Sequence, residues 1–187
     1  MQRIKLKEHL KYARKKLTLT KNEKDSGFEK QGSKMKIRKL LPKDSSNVVN
    51  VFDEKIIMFD ILKFQENTLN LGAFDNGELV GILTAEPRKL IKPLDSYTDL
   101  FITLIEVVKD YQNQGIATKL INLAEDFAKQ KGFFQITSWS DEDAVEMTHL
   151  AHKLKYTMCQ ALMYDEKYLP NSASECVKGY YYGKRLD

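Results

Sequence analysis

Cysteine is scarce in this chain: among 187 residues only Cys159 and Cys176 occur, and they give neither a zinc-type spacing nor a disulfide framework. Long apolar runs are missing too, and none approaches the roughly 20 residues a membrane span needs. The opening Met1-Gln2-Arg3-Ile4-Lys5-Leu6-Lys7 is too charged for a signal peptide. The phosphate-binding patterns Gly-x-x-x-x-Gly-Lys-(Ser/Thr) and Gly-x-Gly-x-x-Gly are both absent. These gaps point to a reduced, cytoplasmic protein with no membrane partner and no metal site.

What is present describes a folded domain carrying an appendage. A hydrophobic share of 42% with 10% aromatics supports a packed core and excludes global disorder. The net charge of +4 is an average over two unlike parts. Residues 1–34 hold eleven Lys/Arg against four Asp/Glu, or +7; the remainder holds nineteen against twenty-two, or −3. The composition therefore predicts a basic N-terminal extension over 1–34 and a mildly acidic domain over 35–187. Within the extension, Leu6, Leu10, Ala13 and Leu17 fall at helical spacing, so residues 4–17 read as an amphipathic helix. A solvated or docked helix, a nucleic-acid arm and a contact with an anionic membrane are the readings open to it. An acidic domain favours cationic substrates and argues against a nucleic-acid partner.

From Met35 the pattern becomes regular. Lys36 to Leu40 reads as a strand and Asn47 to Phe64 as a helix. Leu69–Phe74 and Leu79–Ala85 flank Asp75-Asn76-Gly77, a hairpin in which Asn-Gly suits the positive φ of a tight turn. A polar loop is expected from Glu86 to Asp99. Leu100 to Val108 is almost wholly apolar, as for a strand buried on both faces. Ile116, Ala117, Leu120, Ile121, Ala124, Phe127 and Ala128 then form one helical stripe, with Lys129 and Lys131 at its negative end and Gly132 as C-cap. Phe133 to Trp139 reads as a strand. Ser140 is a plausible N-cap for a helix from Asp141 to Lys155, and Met158–Met163 and Gly179–Leu186 are the last strands. The order β-α-β-β-β-α-β-α-β-β defines an α+β domain around a mixed sheet.

The segment Val107-Val108-Lys109-Asp110-Tyr111-Gln112-Asn113-Gln114-Gly115-Ile116-Ala117-Thr118 carries the chemistry. It is a strand end, a polar turn and a helix entrance, so unpaired backbone N–H groups point outward at a helix N-terminus, where a phosphate or pyrophosphate binds. Gly115 and Ala117 keep side chains out of its way. The spacing Gln112-x-x-Gly115-x-Ala117 resembles the acyl-CoA-binding signature (Gln/Arg)-x-x-Gly-x-(Gly/Ala) of the GNAT superfamily of N-acetyltransferases, and the element order from about residue 35 to 187 resembles its fold. That fold is a mixed, mostly antiparallel sheet flanked by helices. The resemblance implies acetyl-CoA as acetyl donor, with its pyrophosphate on the amides of Gln114, Gly115, Ile116 and Ala117 and a hydroxyl contact from Thr118. It also implies pantetheine pairing along Val107, Val108 and Lys109, in a slot between this strand and the splayed Phe133–Trp139 strand.

Acetyl transfer needs a neutral amine, and a lysine-like amine of pKa about 10.4 is only about one part in a thousand neutral at physiological pH. Glu106 is the candidate base: it is the only ionisable residue between Leu100 and Val108, and burial between Ile105 and Val107 would raise its pKa toward a useful range. A glutamate paired with a lysine or placed at a solvated rim is the alternative. Alternation sets Thr103, Ile105 and Val107 on one face and Glu106 on the other, unless a bulge re-aims it. The resemblance places the oxyanion donor at the backbone amide of about Val107. Glu86 and Asp53 are weaker candidates for holding a cationic substrate. The family's tyrosine acid falls, by the resemblance, at Ala151; His149 and His152 lie nearby as substitutes, with Tyr156 a further one. The expected function is N-acetyl transfer to a primary amine of a small molecule or protein, with a non-catalytic acyl-CoA-binding module as the alternative. A homodimer through the last strands is compatible with either.

Overall fold

The computed structural model describes residues 35–59, 61–163 and 177–186, without side chains at 53–59, 162, 163 and 177. The proposed extension 1–34 and its helix 4–17 lie outside the described residues. In chain order the elements are β1 (Lys36–Lys39), α1 (Ser45–Phe59), β2 (Leu69–Asp75), β3 (Glu78–Lys89), β4 (Thr98–Val107), α2 (Ile116–Lys131), β5 (Gln135–Asp141), α3 (Val145–Lys153), β6 (Thr157–Met163) and β7 (Val177–Arg185). Single 3-10 turns precede α1 and α2. The order matches the expected alternation, and the seven strands form one sheet, β1-β2-β3-β4-β5-β7-β6. All neighbours are antiparallel except β4 and β5.

Two apolar clusters sandwich the sheet. On one face the stripe of α2 (Ile116, Leu120, Ile121, Ala124, Phe127, Ala128) packs with Leu83, Ala85, Leu100, Ile102, Ile136, Ala151 and Tyr182. On the other, Val48 and Phe52 of α1 pack with Leu40, Phe74, Leu79 and Ile82, and Leu104 and Val108 of β4 lean on this cluster. The hairpin turn has Asn76 at φ 50° and Gly77 at φ 94°, as its sequence demands.

Several expected boundaries move, each for a packing reason. The polar loop 86–99 shrinks because β3 runs to Lys89 and β4 starts at Thr98. Pro87 is tolerated there because β2 ends opposite Ala85, so the missing N–H falls where no strand pairs. The expected helix 47–64 runs instead from Ser45 to Phe59. The strand expected over Phe133–Trp139 is shifted to Gln135–Asp141, so Ser140 is not an N-cap. Its hydroxyl pairs with that of Tyr182 at 2.8 Å, and α3 begins only at Val145. Asp141 accordingly ends the strand, and Glu142 and Asp143 enter a turn.

The chain leaves α3 through Lys155, which holds φ 61°, a left-handed conformation that suits glycine. Lys155→Gly is expected to stabilise the fold by about 1 kcal/mol, read as a raised thermal midpoint; an unchanged or lowered midpoint contradicts this.

Candidate active site

The site is built by a pairing that stops early. β4 meets β5 at only three positions, Leu100 with Ile136, Phe101 with Thr137 and Ile102 with Ser138. Beyond them β4 continues to Val107 and β5 to Asp141, so the two strands fork. Ser138 Oγ donates to Ile102 O at 3.4 Å at the crotch of the fork. A β-bulge sits there as well: Thr84 pairs with Leu104 and Ala85 with Ile102, leaving Thr103 as the extra residue. Thr103 Oγ1 is 2.7 Å from Thr84 Oγ1 and 3.2 Å from Thr84 O, which pins the bulge.

The bulge reverses the alternation of β4. Leu100 and Ile102 face the α2 cluster below it, whereas Ile105 and Val107 do so above it. Without the bulge Glu106 would share the α2 face with Leu100 and Ile102. With it, Glu106 joins Leu104 and Val108 on the α1 face and stays half-buried. The bulge that the sequence left open is therefore real, and it decides where the candidate base points.

It also leaves backbone groups free in the fork. Val108 N–H donates to Val80 O at 2.9 Å, so the residues alternate with Ile105 and Val107 turned from β3 toward the fork. Gln112 Nε2 donates to Val107 O at 3.0 Å, tying the turn to the strand end. Asn113 (φ 60°) and Gly115 (φ 76°) both take left-handed conformations and swing the chain into α2. The first bond of α2 runs from Lys119 N–H to Gly115 O at 3.1 Å, and no side chain caps the helix. Ile116, Ala117 and Thr118 thus offer N–H groups with no intrahelical acceptor. A Cβ built on Gly115 meets nothing within 4 Å, so there is open room beside the loop for an anion. The loop fits a pyrophosphate: donors, a positive helix end and space coincide.

The other expected residues are distributed unevenly. Gln114 Nε2 donates to Asp110 O at 3.2 Å, and its side chain serves the turn. Lys109 begins a 3-10 turn past the end of β4 and is exposed. His149 and His152 are both exposed, while Ala151 between them is buried in the α2 cluster. Tyr156 donates to Glu125 Oε1 at 3.0 Å, and Lys184 Nζ donates to Glu125 Oε2 at 2.7 Å, which commits that hydroxyl to the α2 layer. Burial and the Glu125 carboxylate push its pKa far up. Glu86 pairs with Lys63 at 2.5 Å, and the side chain of Asp53 lies outside the described residues.

Sequence reasoning missed a polar assembly on the α1 face, at the foot of the fork. Asp99 is fully buried; it accepts from Arg88 Nη2 at 3.0 Å and from Thr137 Oγ1 at 2.7 Å. Arg88 Nη2 also donates to the Tyr181 hydroxyl, and its guanidinium lies 4.2 Å from the centre of the Phe101 ring. Burial works against the charge of Arg88, but the hydrogen bond and charge of Asp99 outweigh it and raise its pKa. Trp139 lies beside Gly179 so tightly that a Cβ on Gly179 would strike both the indole and Ser140 O. The only signal for Arg88 and Asp99 was their opposite charge, one inside and one at the end of a stretch read as loop. A shallow concavity lined by Lys89, Tyr97, Lys131 and Phe134 lies at the other end of β4.

A parallel pair that forks beside an uncapped, glycine-entered helix is thus the geometry present at the motif. The acetyltransferase (GNAT) family matches residues 36–156, more than half of the chain, and the chain belongs to that family. No curated relative matches it at the level of sequence. Among solved structures it is similar to a putative acetyltransferase of Acinetobacter baylyi, at 16% identity and a TM-score of 0.62, covering 85% of this chain and 96% of that one. It is similar also to a putative acetyltransferase of Salmonella typhimurium solved with acetyl-CoA, at 14% identity and a TM-score of 0.61, covering 82% and 94%. A third likeness is to the ribosomal-protein-S18-alanine N-acetyltransferase of Escherichia coli, at 13% identity and a TM-score of 0.58, covering 82% and 94%. At these identities the likeness establishes the fold.

Breaking the Arg88–Asp99 pair from one side strands a buried carboxylate, so Arg88→Gln is expected to cost about 3 kcal/mol, the low end for buried pairs because the Arg88 side chain is 40% exposed. Arg88→Gln with Asp99→Asn is expected to recover most of that loss in urea unfolding; a double variant no more stable than the single one contradicts the pairing.

Proposed function

We propose that this protein transfers an acetyl group from acetyl-CoA to a primary amine of a small molecule or a protein. The observation that carries the reading is the fork between β4 and β5 opening beside the unpaired amides of Ile116, Ala117 and Thr118. Acetyl-CoA supplies an activated acetyl thioester. The amides from Gln114 to Ala117 hold its pyrophosphate, and the Thr118 hydroxyl adds a contact. Val107, together with Ile105, supplies the N–H groups in the fork for the pantetheine arm and the acyl oxygen. Val108 N–H is already bonded to Val80, which shifts the pairing from Val107–Lys109 back toward Ile105–Val107.

Glu106 receives a proton from the acceptor's ammonium, on the face opposite α2. The nitrogen–carbon bond then forms, the carbon–sulfur bond breaks, and the second proton shed by the nitrogen goes to the departing thiolate, giving amide and free CoA thiol. Exposed on α3, His152 has no geometric claim to protonate the departing thiolate, and the reading assigns no side chain to that step. Residues 35–187 constitute the acetyltransferase domain, with 1–34 as its basic extension. Strand β6 ends the sheet with Thr157–Gln160 exposed, an edge through which a homodimer can form. Among the described residues no helix is long and apolar enough to cross a membrane. A free, exposed Cys159 fits a reducing cytoplasm.

Calorimetric titration with acetyl-CoA is expected to give micromolar binding that Gly115→Glu abolishes, because a carboxylate then stands where the pyrophosphate belongs. Wild-type protein that does not bind acetyl-CoA overturns the reading, and binding without turnover of any amine favours the non-catalytic module. Glu106→Gln is expected to lower kcat by about 100-fold or more while acetyl-CoA binding persists; an unchanged kcat removes Glu106 as base.

A further inference from the structure

The assembly at the foot of the fork has a geometry that its structural role does not exhaust. All three hydrogen bonds of Arg88, to Asp99, Thr137 and Tyr181, leave from Nη2. None leaves from Nη1 or Nε among the described residues, and the side chain is 40% exposed. Its plane is fixed by Phe101 on one side and by the buried Asp99 beneath. A guanidinium immobilised in this way presents an open, planar, cationic edge at no further ordering cost, which is how arginine recognises carboxylates.

The position of that edge relative to the fork matters. Arg88, Phe101, Leu104 and Glu106 lie on the same face of the sheet, opposite α2, as the ladder register and the bulge require. Half-buried Trp139 and Tyr181 border the same region from β5 and β7. Phe101, stacked on the guanidinium, pairs with Glu86 and Glu106 with Ile82, four residues apart on β3 because the bulge absorbs one residue of β4, a span of roughly 13 Å at ~3.3 Å per strand residue. An extended peptide covers that distance in about four residues.

We propose that the acceptor is a peptide or protein amino terminus with an acidic side chain at its third or fourth residue, whose carboxylate docks on Arg88 while the α-amine reaches Glu106. This rests on the acetyltransferase reading and replaces the expectation that the acidic domain favours a polycationic acceptor. What Arg88 offers at the foot of the fork is a fixed, open donor edge, its charge balanced by Asp99 as that of Glu86 is by Lys63, and net charge over the whole domain does not describe it.

The test uses the full chain, acetyl-CoA and three tetrapeptide amides with free amino termini: Ala-Ala-Glu-Glu, Ala-Ala-Gln-Gln and Ala-Ala-Lys-Lys. The wild type is expected to show kcat/KM at least tenfold higher for the glutamate peptide than for the lysine peptide, mainly through KM and shrinking as salt rises. In the Arg88→Gln, Asp99→Asn double variant the two peptides are expected to converge to within about threefold, a change that simple loss of stability does not produce. Equal rates for the three wild-type reactions, a preference for lysine, or no turnover of any peptide by a protein that binds acetyl-CoA each overturn this inference and leave the acetyltransferase reading standing. Failure to bind acetyl-CoA in calorimetry of the same sample strikes the reading itself.

Discussion

The fork in the sheet, on which the proposed function rests, depends on three rungs of parallel ladder. β4 and β5 are held together at Leu100, Phe101 and Ile102 and nowhere above, with Ser138 bonded to the last carbonyl. Had the pairing run on, the amides of Ile105 and Val107 would be spent on β5 and no slot would exist. The Thr103 bulge adds a residue to β4 at the same level, where its partner Thr84 holds it by two hydroxyl contacts. A bulge bends its strand and sharpens the local twist, so fork and bulge fit together as one distortion of the sheet.

The two faces of the forked region then divide the chemistry. On the α2 side, Ile105 and Val107 pack toward the helix whose N-terminus carries the unpaired amides. On the α1 side, Glu106, Phe101, Trp139, Tyr181 and Arg88 form a surface that is part carboxylate, part aromatic and part cation. The donor and the acceptor can thus approach the reacting carbon from opposite sides of a gap in a single sheet. Two buried carboxylates steady this arrangement: Asp99 fixes Arg88 below the fork, and Glu125 gathers Tyr156 and Lys184 behind α2. Each is paired, as burial of a carboxylate requires.

Much of the fold was legible because it rests on local chemistry. Asn76-Gly77 dictates its turn, the α2 stripe its buried face, and Gly115 and Gly132 the two left-handed ends of that helix. The turn into α2 was legible for the same reason, since its left-handed glycine and unpaired N–H groups follow from backbone geometry within a few residues. Errors arose where distant partners decide. Ser140 has the chemistry of an N-cap but extends β5, because β7 pairs with it through Tyr180 and Tyr182 takes its hydroxyl. Glu86, Pro87 and Arg88 have the composition of a loop yet form strand, because Phe101, Leu100 and Asp99 lie opposite them.

The sequence by itself determined the element order, the uncapped, glycine-entered start of α2 and the family, for these depend on periodicity and on residues adjacent in the chain. Only the tertiary structure decided on which face Glu106 stands, that His152 is turned to solvent, and that Arg88 and Asp99 meet beneath the fork. Facing depends on a single inserted residue in a ladder, and the Arg88–Asp99 pair on the register of β3 against β4; a local reading of the chain registers neither.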